Sequence, residues 1–368
     1  MKFVIACSLI KPEIEYATNF SSMRNSLSIS SNVLFESAND VLTIKATDGK
    51  MGFISTVPVQ TIVPGSTTVF CDKLVAVLKN IPDVDLEFSC ENNKLTIRPV
   101  DAINNINVNI KATDASKYPE LLTAPDSVFF SLTQKEVADM IDKTAFAVSE
   151  ETTRPFLTGV YTEKKDDKLV MVATDGRRLA FIEKQFEQEI PDFKGAIVPT
   201  KFLQQLKSIL SDEGVFSIAI TNDNIFAHVG KRIIYSTLIS GNYPNYDRVI
   251  PKSFTYECKM KKDDMEKAIT LISVLVEAKS KRIFIDLNKD GVMLSSENAD
   301  FGDSKQIIPC EYEGPEAKIS FNFNLLLTPI KKIDSEFFKI SFNSTSAAMA
   351  IFPEPEKDYL FVLMPMQV

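Results

Sequence analysis

The side chains that most often carry out catalysis are scarce in this chain, and those present do not converge. Its single histidine, His228, lies in Ile225-Phe-Ala-His-Val229, a strand-like pattern that makes it an ordinary strand residue rather than a catalytic base. No second imidazole completes a metal site, and no G-x-S-x-G or cysteine–histidine arrangement offers a nucleophile. Cys7, Cys71, Cys90, Cys258 and Cys310 are odd in number, scattered and without a CxxC pair. That pattern speaks against a disulfide framework and a zinc site, and suits a reducing compartment. Asp166-Asp167 reads as a solvated turn and Asp263-Asp264 as a helix start, not as acid–base dyads. Val229-Gly-Lys-Arg232 lacks the first glycine of a phosphate loop and reads as a hairpin turn. No catalytic residue, metal or cofactor is expected.

Two features point to binding instead. Basic residues recur on or beside the predicted helices: Arg24, Lys73, Lys79, Lys143, Lys201, Lys207, Lys267, Lys331 and Lys332. Lys73 matches Lys201, and Lys79 matches Lys207, in an internal repeat, which favours a shared basic face over lysines that merely solvate helices. Such a face meets phosphates without reading bases, and its binding weakens with salt. The net charge of −8 does not exclude it, because charge can be segregated by face. The second feature is the apolar segment from Tyr359 to Val368. Its Pro365 stops a strand and leaves Met364 and Met366 as soft, adaptable side chains near the surface, suited to a pocket that takes several partners.

The elements that position these residues come in three copies. Leu42-Thr-Ile-Lys-Ala-Thr47-Asp48-Gly49 recurs as Leu169-Val-Met-Val-Ala-Thr174-Asp175-Gly176, and Lys117-Tyr118-Pro119 as Asn242-Tyr243-Pro244. Repeats this long are whole domains rather than solenoid units, and the length of 368 residues accommodates three. The domains expected are 1–124, 125–249 and 250–368. Each reads as helix, strands, helix, strands. The first helices start near Pro12, at the capping box Thr133-Gln-Lys-Glu136, and at Asp263-Asp-Met-Glu266. The second helices span about 72–80, 200–211 and 324–333, with Asp72, Thr200 and Asn324 as N-caps, and Pro329 should shorten or kink the last. Asp48-Gly49 and Asp175-Gly176 mark hairpin turns. The fold class expected is α+β, three similar domains with antiparallel sheets and two helices each. No segment has the length and apolarity of a membrane span or the form of a signal peptide, so a cytoplasmic protein is expected.

Ala173-Thr-Asp-Gly-Arg-Arg-Leu179 and Val362-Leu-Met-Pro-Met366 resemble the bacterial β sliding clamp family, the processivity subunits of replicative DNA polymerases. Met1-Lys-Phe, Arg154-Pro-Phe-Leu157 and the Tyr-Pro-x-Tyr-x-Arg-Val segment at 243–249 extend the likeness over the whole length. The resemblance implies a non-enzymatic, head-to-tail homodimer whose domains close a ring around duplex DNA, helices inside and sheets outside. It implies DNA-facing Arg24, Lys73, Lys79, Lys201, Lys207, Lys331 and Lys332. Its partners would be the replicative polymerase, the clamp loader and other proteins carrying a short glutamine-and-hydrophobic motif.

The family's peptide groove maps onto Leu157, Thr174, Gly176, Arg177, Arg178 and Leu179, onto Pro244, Arg248 and Val249, onto Asn322 and Leu325, and onto Val362, Leu363, Met364, Pro365 and Met366. Arg177 stands where a histidine is common, and Gln367-Val368 replaces a usual Arg-Leu. The family's subunit interface maps onto Ile106, Val108 and Ile110, facing Val274 and Leu275. The competing reading is a monomeric three-domain scaffold that binds proteins and never encircles DNA.

Overall fold

The computed structural model describes residues 1–22, 28–101, 105–124, 129–298 and 302–367, so Arg24 and Val368 lie outside the described residues. Helices α1 (Cys7–Ala17), α2 (Cys71–Lys79), α3 (Gln134–Thr144), α4 (Thr200–Ile209), α5 (Lys262–Ile272) and α6 (Phe323–Lys331) recur in pairs at the repeat spacing. The strands between them pair antiparallel, and the chain is an α+β protein of three similar domains.

Contacts divide the chain into two compact units, Met1–Gln134 with Gln204–Leu238, and Lys135–Leu203 with Ile239–Val368. The division passes through the middle repeat, and strand pairing explains why. In the first unit, Arg232–Thr237 runs against Met51–Pro58 with Ile234 opposite Phe53, so first- and second-repeat strands share one 13-stranded sheet. In the second unit, Arg178–Gln185 runs against Tyr359–Leu363 with Ala180 opposite Phe361, within a nine-stranded sheet. Gly302–Ile308, Gly291–Asn298, Arg282–Asn288 and Ala317–Asn322 make a separate four-stranded sheet in that unit. The repeat is therefore a unit of sequence, while the sheets run across repeats.

Each unit buries one face of its helices. Ile10 and Ile14 of α1 and Leu74 and Leu78 of α2 are fully buried, as are Met265 and Ile269 of α5 and Leu326 and Ile330 of α6. In the first unit one contact is ionic. Glu13 of α1, 1% exposed, accepts from Arg232 Nε at 2.9 Å and Nη2 at 2.8 Å, from Lys231 Nζ at 2.9 Å and from Ser55 Oγ at 2.8 Å. Burial pushes its pKa up, but these donors outweigh it and hold the carboxyl below its ordinary value.

Several helix starts differ from the sequence reading. α1 begins at Cys7, not at Pro12, because its first N–H groups are met at long range: Cys7 donates to the Val84 carbonyl at 3.0 Å and Ser8 to Asp83 Oδ1 at 2.9 Å. Pro12 sits inside the helix, where its missing N–H forgoes one helical bond. α5 starts after Lys261 with no side-chain cap, and Asp263 falls in its first turn. Asp72 likewise lies in the first turn of α2 behind Phe70. Thr200 is the first residue of α4, and its hydroxyl donates to the Thr158 carbonyl at 2.9 Å. The cap of α6 is Asn322, whose side chain accepts from Asn324 N–H at 3.0 Å. Pro329 lies within α6, which ends two residues later as Lys332 and Ile333 donate to the Pro329 and Ile330 carbonyls, three residues back.

Candidate functional site

The Thr-Asp-Gly turn is built the same way twice. Thr47 Oγ1 accepts from Gly49 N–H at 3.0 Å and donates to the Met51 carbonyl at 2.7 Å; Thr174 Oγ1 does the same with Gly176 at 3.1 Å and Arg178 at 2.6 Å. Asp48 Oδ1 and Asp175 Oδ1 each accept two backbone N–H groups beyond the glycine. Gly49 and Gly176 hold φ of 90° and 88°, a region that a side chain disfavours. The tyrosines repeat as well: Tyr118 donates to the Lys45 carbonyl at 3.4 Å and Tyr243 to the Val172 carbonyl at 3.4 Å, both acceptors lying two residues before the turn threonine.

What differs is the residue closing the turn. Met51 is buried in the core of the first unit, whereas Arg178 in the second unit is held by named partners. Its Nε donates to Asp175 Oδ2 at 3.0 Å, its Nη2 to the Phe146 carbonyl at 2.7 Å, and the guanidinium lies 5.3 Å from the Phe146 ring centre. With 14% of its side chain exposed, Arg178 braces the turn rather than standing as a free charge at a rim.

The C-terminal segment attaches to this turn. Arg178 pairs with Leu363 and Leu179 with Val362. Met364 N–H then donates to the Arg177 carbonyl at 2.9 Å. Two residues on, Met366 N–H donates to the Ser320 carbonyl at 2.8 Å, and Ser320 Oγ donates back to the Met366 carbonyl at 2.8 Å. Beneath the strands Val170, Val172, Leu179, Tyr246 and Val362 form one buried cluster. Tyr246 opens the single 3-10 turn Tyr246–Arg248, so it fixes Arg248 and Val249 beside that cluster. Pro244, Arg248, Val249, Gly176, Arg177 and Met364 are exposed around it.

The structure thus brings together Thr174, Gly176, Arg177, Arg178, Leu179, Arg248, Val249 and residues 362–366. Met366 reaches Ser320, two residues from Asn322, and the half-buried Leu325 lies on α6, which packs against Tyr359–Leu363. Leu157 is buried at the end of the turn Pro155–Leu157, its carbonyl accepting from Ser149 N–H at 2.8 Å. Tyr246, Phe146, Asp175 and Ser320 were not singled out as site residues. Asp175, the turn partner of Gly176, and Tyr246, inside the Tyr-Pro-x-Tyr-x-Arg-Val segment, carry a local signal; Phe146 and Ser320 carry none.

The basic residues fall into two groups. Lys73, Lys79, Lys201, Lys207, Lys267 and Lys331 are exposed on the helices; Lys79 lies 3.8 Å from Glu15. Lys143 and Lys332 instead belong to a joint in the second unit. Lys143 is buried, donates to the Lys332 carbonyl, lies 3.7 Å from Asp334 and stands 4.3 Å over the Tyr359 ring. Burial draws its pKa below the ordinary value against Asp334, Asp139 and Asp142. Lys332 pairs with Asp142 at 2.7 Å. Lys143 is thus committed to the start of the last strand, while Lys332, partly exposed, is tied to Asp142 and through its carbonyl to Lys143.

In the first unit, Val108–Thr113 pairs with Lys94–Pro99 along Val108 to Lys111, but with Gly65–Phe70 only at Ala112 and Thr113. The other edge of residues 108–111 is therefore unpaired by either strand, and beside it lies a groove of about 760 Å³ lined by Lys73, Ala76, Val77, Ile106, Val108 and Ile110. In the second unit Leu271 and Val274 are 59% and 76% exposed, with Leu275 half-buried in the turn Ser273–Leu275.

His228 sits in the strand Asn224–Val229 with its ring 4.2 Å from Phe129. All five cysteines are free thiols, and burial pushes Cys71 up to about 12. Among the described residues no cluster of acidic, cysteine or histidine side chains could hold a metal, and no helix is long and apolar enough to cross a membrane.

Family profiles of the DNA polymerase III beta subunit match in order: the N-terminal domain over residues 1–122, the central domain over 131–245 and the C-terminal domain over 247–367. A beta sliding clamp of Treponema pallidum is 33% identical over 371 residues, covering 100% of both chains. Two sliding clamp structures, from Pseudomonas aeruginosa and Bartonella birtlesii and each bound to griselimycin, superpose with TM-scores of 0.94 at 25% identity over 100% of both chains.

Proposed function

The chain belongs to the DNA polymerase III beta subunit family, the sliding clamps, and on that premise we propose that two copies close head to tail into a ring around duplex DNA. The ring slides without reading sequence, tethers the replicative polymerase, and is handled by a clamp loader. Other partners dock a short glutamine-and-hydrophobic segment on the surface formed by the Thr174–Leu179 turn, the Pro244–Val249 segment and residues 362–366. The proposed domains are 1–124, 125–249 and 250–368, and no step calls for a cofactor.

The observation that carries this reading is the course of the C-terminal segment, bonded to Arg177 through Met364 and to Ser320 through Met366, with the Met364 side chain 43% exposed. An exposed methionine over a buried apolar cluster suits a peptide's apolar anchors. For the ring, the unpaired edge at 108–111 with its apolar groove supports one half of a contact between copies. The exposed Leu271 and Val274 support the other half. A single chain leaves both uncovered, which a second copy would remedy. Exposed lysines on the helices meet phosphates loosely, as sliding requires.

Light scattering tests the ring against the monomeric scaffold. Two chains per particle are expected, and a single chain at micromolar concentration would overturn the ring.

A further inference from the structure

Arg282 opens the strand Arg282–Asn288, and its Nε is buried without a hydrogen-bond partner among the described residues. Only that nitrogen is buried, since Arg282 as a whole is half-buried, and its guanidinium makes no hydrogen bond or ion pair among the described residues. Asp286, two pairs further along the same face, forms no ion pair with it among the described residues. Strand register shows what lies near. Arg282 is opposite Asn322 and Phe284 opposite Ser320, and Ser320 forms a β-bridge with Met366. Directly opposed residues, and residues two apart on a strand, project to one face of a sheet. Arg282 therefore shares its face with Asn322 and Met366, both on the proposed peptide surface. Two strand spacings and an offset of two residues, about 12 Å in all, separate the Arg282 and Met366 backbones. The preceding Lys281 holds a φ of 53° and accepts from Phe323 N–H at 2.9 Å, which fixes Arg282 against the start of α6.

Resting on the groove reading above, we propose that Arg282 is a further recognition residue of that surface, taking a carboxylate of the bound peptide. The guanidinium offers a fork of donors that matches a carboxylate, and its terminal nitrogens, not the buried Nε, are the ones a bound peptide would reach. Glutamine and apolar anchors serve the apolar cluster and the turn; the carboxylate adds specificity at the far side. An acidic side chain within the peptide and the peptide's own C-terminus supply the same group.

Fluorescence polarisation with three labelled peptides of one glutamine-and-leucine sequence separates the cases. One carries an internal aspartate and an amidated end, one an asparagine and a free C-terminus, and one an asparagine and an amide. Arg282→Gln should weaken one carboxylate-bearing peptide by on the order of tenfold, and shift the neutral peptide by about twofold or less. Arg282→Lys should recover part of the loss and keeps the test open if the glutamine variant folds poorly. The peptide that responds identifies the carboxylate's source. Equal loss on all three peptides, or none on any, overturns the Arg282 assignment while the groove stands. If the parent binds no peptide, or if truncation after Leu363 leaves neutral-peptide binding unchanged, the groove reading itself fails.

Discussion

Met364 donates its backbone N–H to the Arg177 carbonyl at 2.9 Å, which joins the C-terminal segment to a turn that the first and second repeats build alike. In the first repeat that turn connects Val41–Thr47 and Met51–Pro58 and receives Ser236 and Thr237 along its flank, Thr237 N–H donating to the Lys50 carbonyl at 2.9 Å. In the second it receives Leu363 and Met364 along its flank. What sets the second turn apart is Arg178 in place of the buried Met51, and the exposed Met364 beside it.

Truncation after Leu363 should abolish binding of a glutamine-and-hydrophobic peptide while leaving the dimer mass unchanged. The removed residues contribute exposed Met364 and the Ser320 bonds, not the buried cluster, which keeps Val362. Losing a few apolar anchors at about 2 kcal/mol each moves a micromolar complex out of range. Polarisation titration of the truncated dimer checks it; unchanged affinity would place the partner site elsewhere.

Arg178→Ala should destabilise the chain by about 1–3 kcal/mol in urea unfolding, since it removes the side-chain donors to the Phe146 carbonyl and to Asp175 Oδ2. Peptide affinity should fall with the turn's order. A variant as stable as the parent would show that Arg178 braces nothing.

Val274→Asp with Leu275→Asp should give a folded monomer by light scattering. These residues carry exposed apolar surface in the single chain, and burying unpaired carboxylates at a contact costs several kcal/mol. A dimer that survives both changes would move the interface away from this turn.

Glu13 sets an acid limit for the first unit. Its folded pKa lies below the unfolded carboxylate value of about 4.3. The stability it contributes is therefore complete above that value and is lost as pH falls through the folded pKa. Glu13→Gln should cost about 2–3 kcal/mol at pH 7 and flatten the acid side of the urea-midpoint profile, because Arg232 keeps its charge without a partner. Identical profiles for parent and variant would rule out this role.

What the sequence discloses here is local or periodic. Thr174-Asp175-Gly176 reads as a turn because its bonds close within four residues, and His228 reads as a strand residue from its neighbours alone. Contacts that span the chain leave no such trace. Glu13 meets Arg232 across 219 residues, and this contact binds the first and second repeats within one unit. Pro12 looks like a helix start until Asp83 and Val84 are seen holding the N–H groups of Ser8 and Cys7. Asn322 and Asn324 are both suited to capping, and only the backbone decides between them. Arg178 and Lys143 look like surface charges in sequence, while the fold commits both to internal partners.

The most direct measurement of the central proposal compares retention of the loaded protein on closed circular DNA with retention after the circle is cut once. A ring that holds DNA by topology should remain on the closed circle through a moderate-salt wash and run off the linear form within minutes. Equal retention on both, falling together as salt rises, would mean that the lysines bind DNA without encirclement and would contradict the clamp.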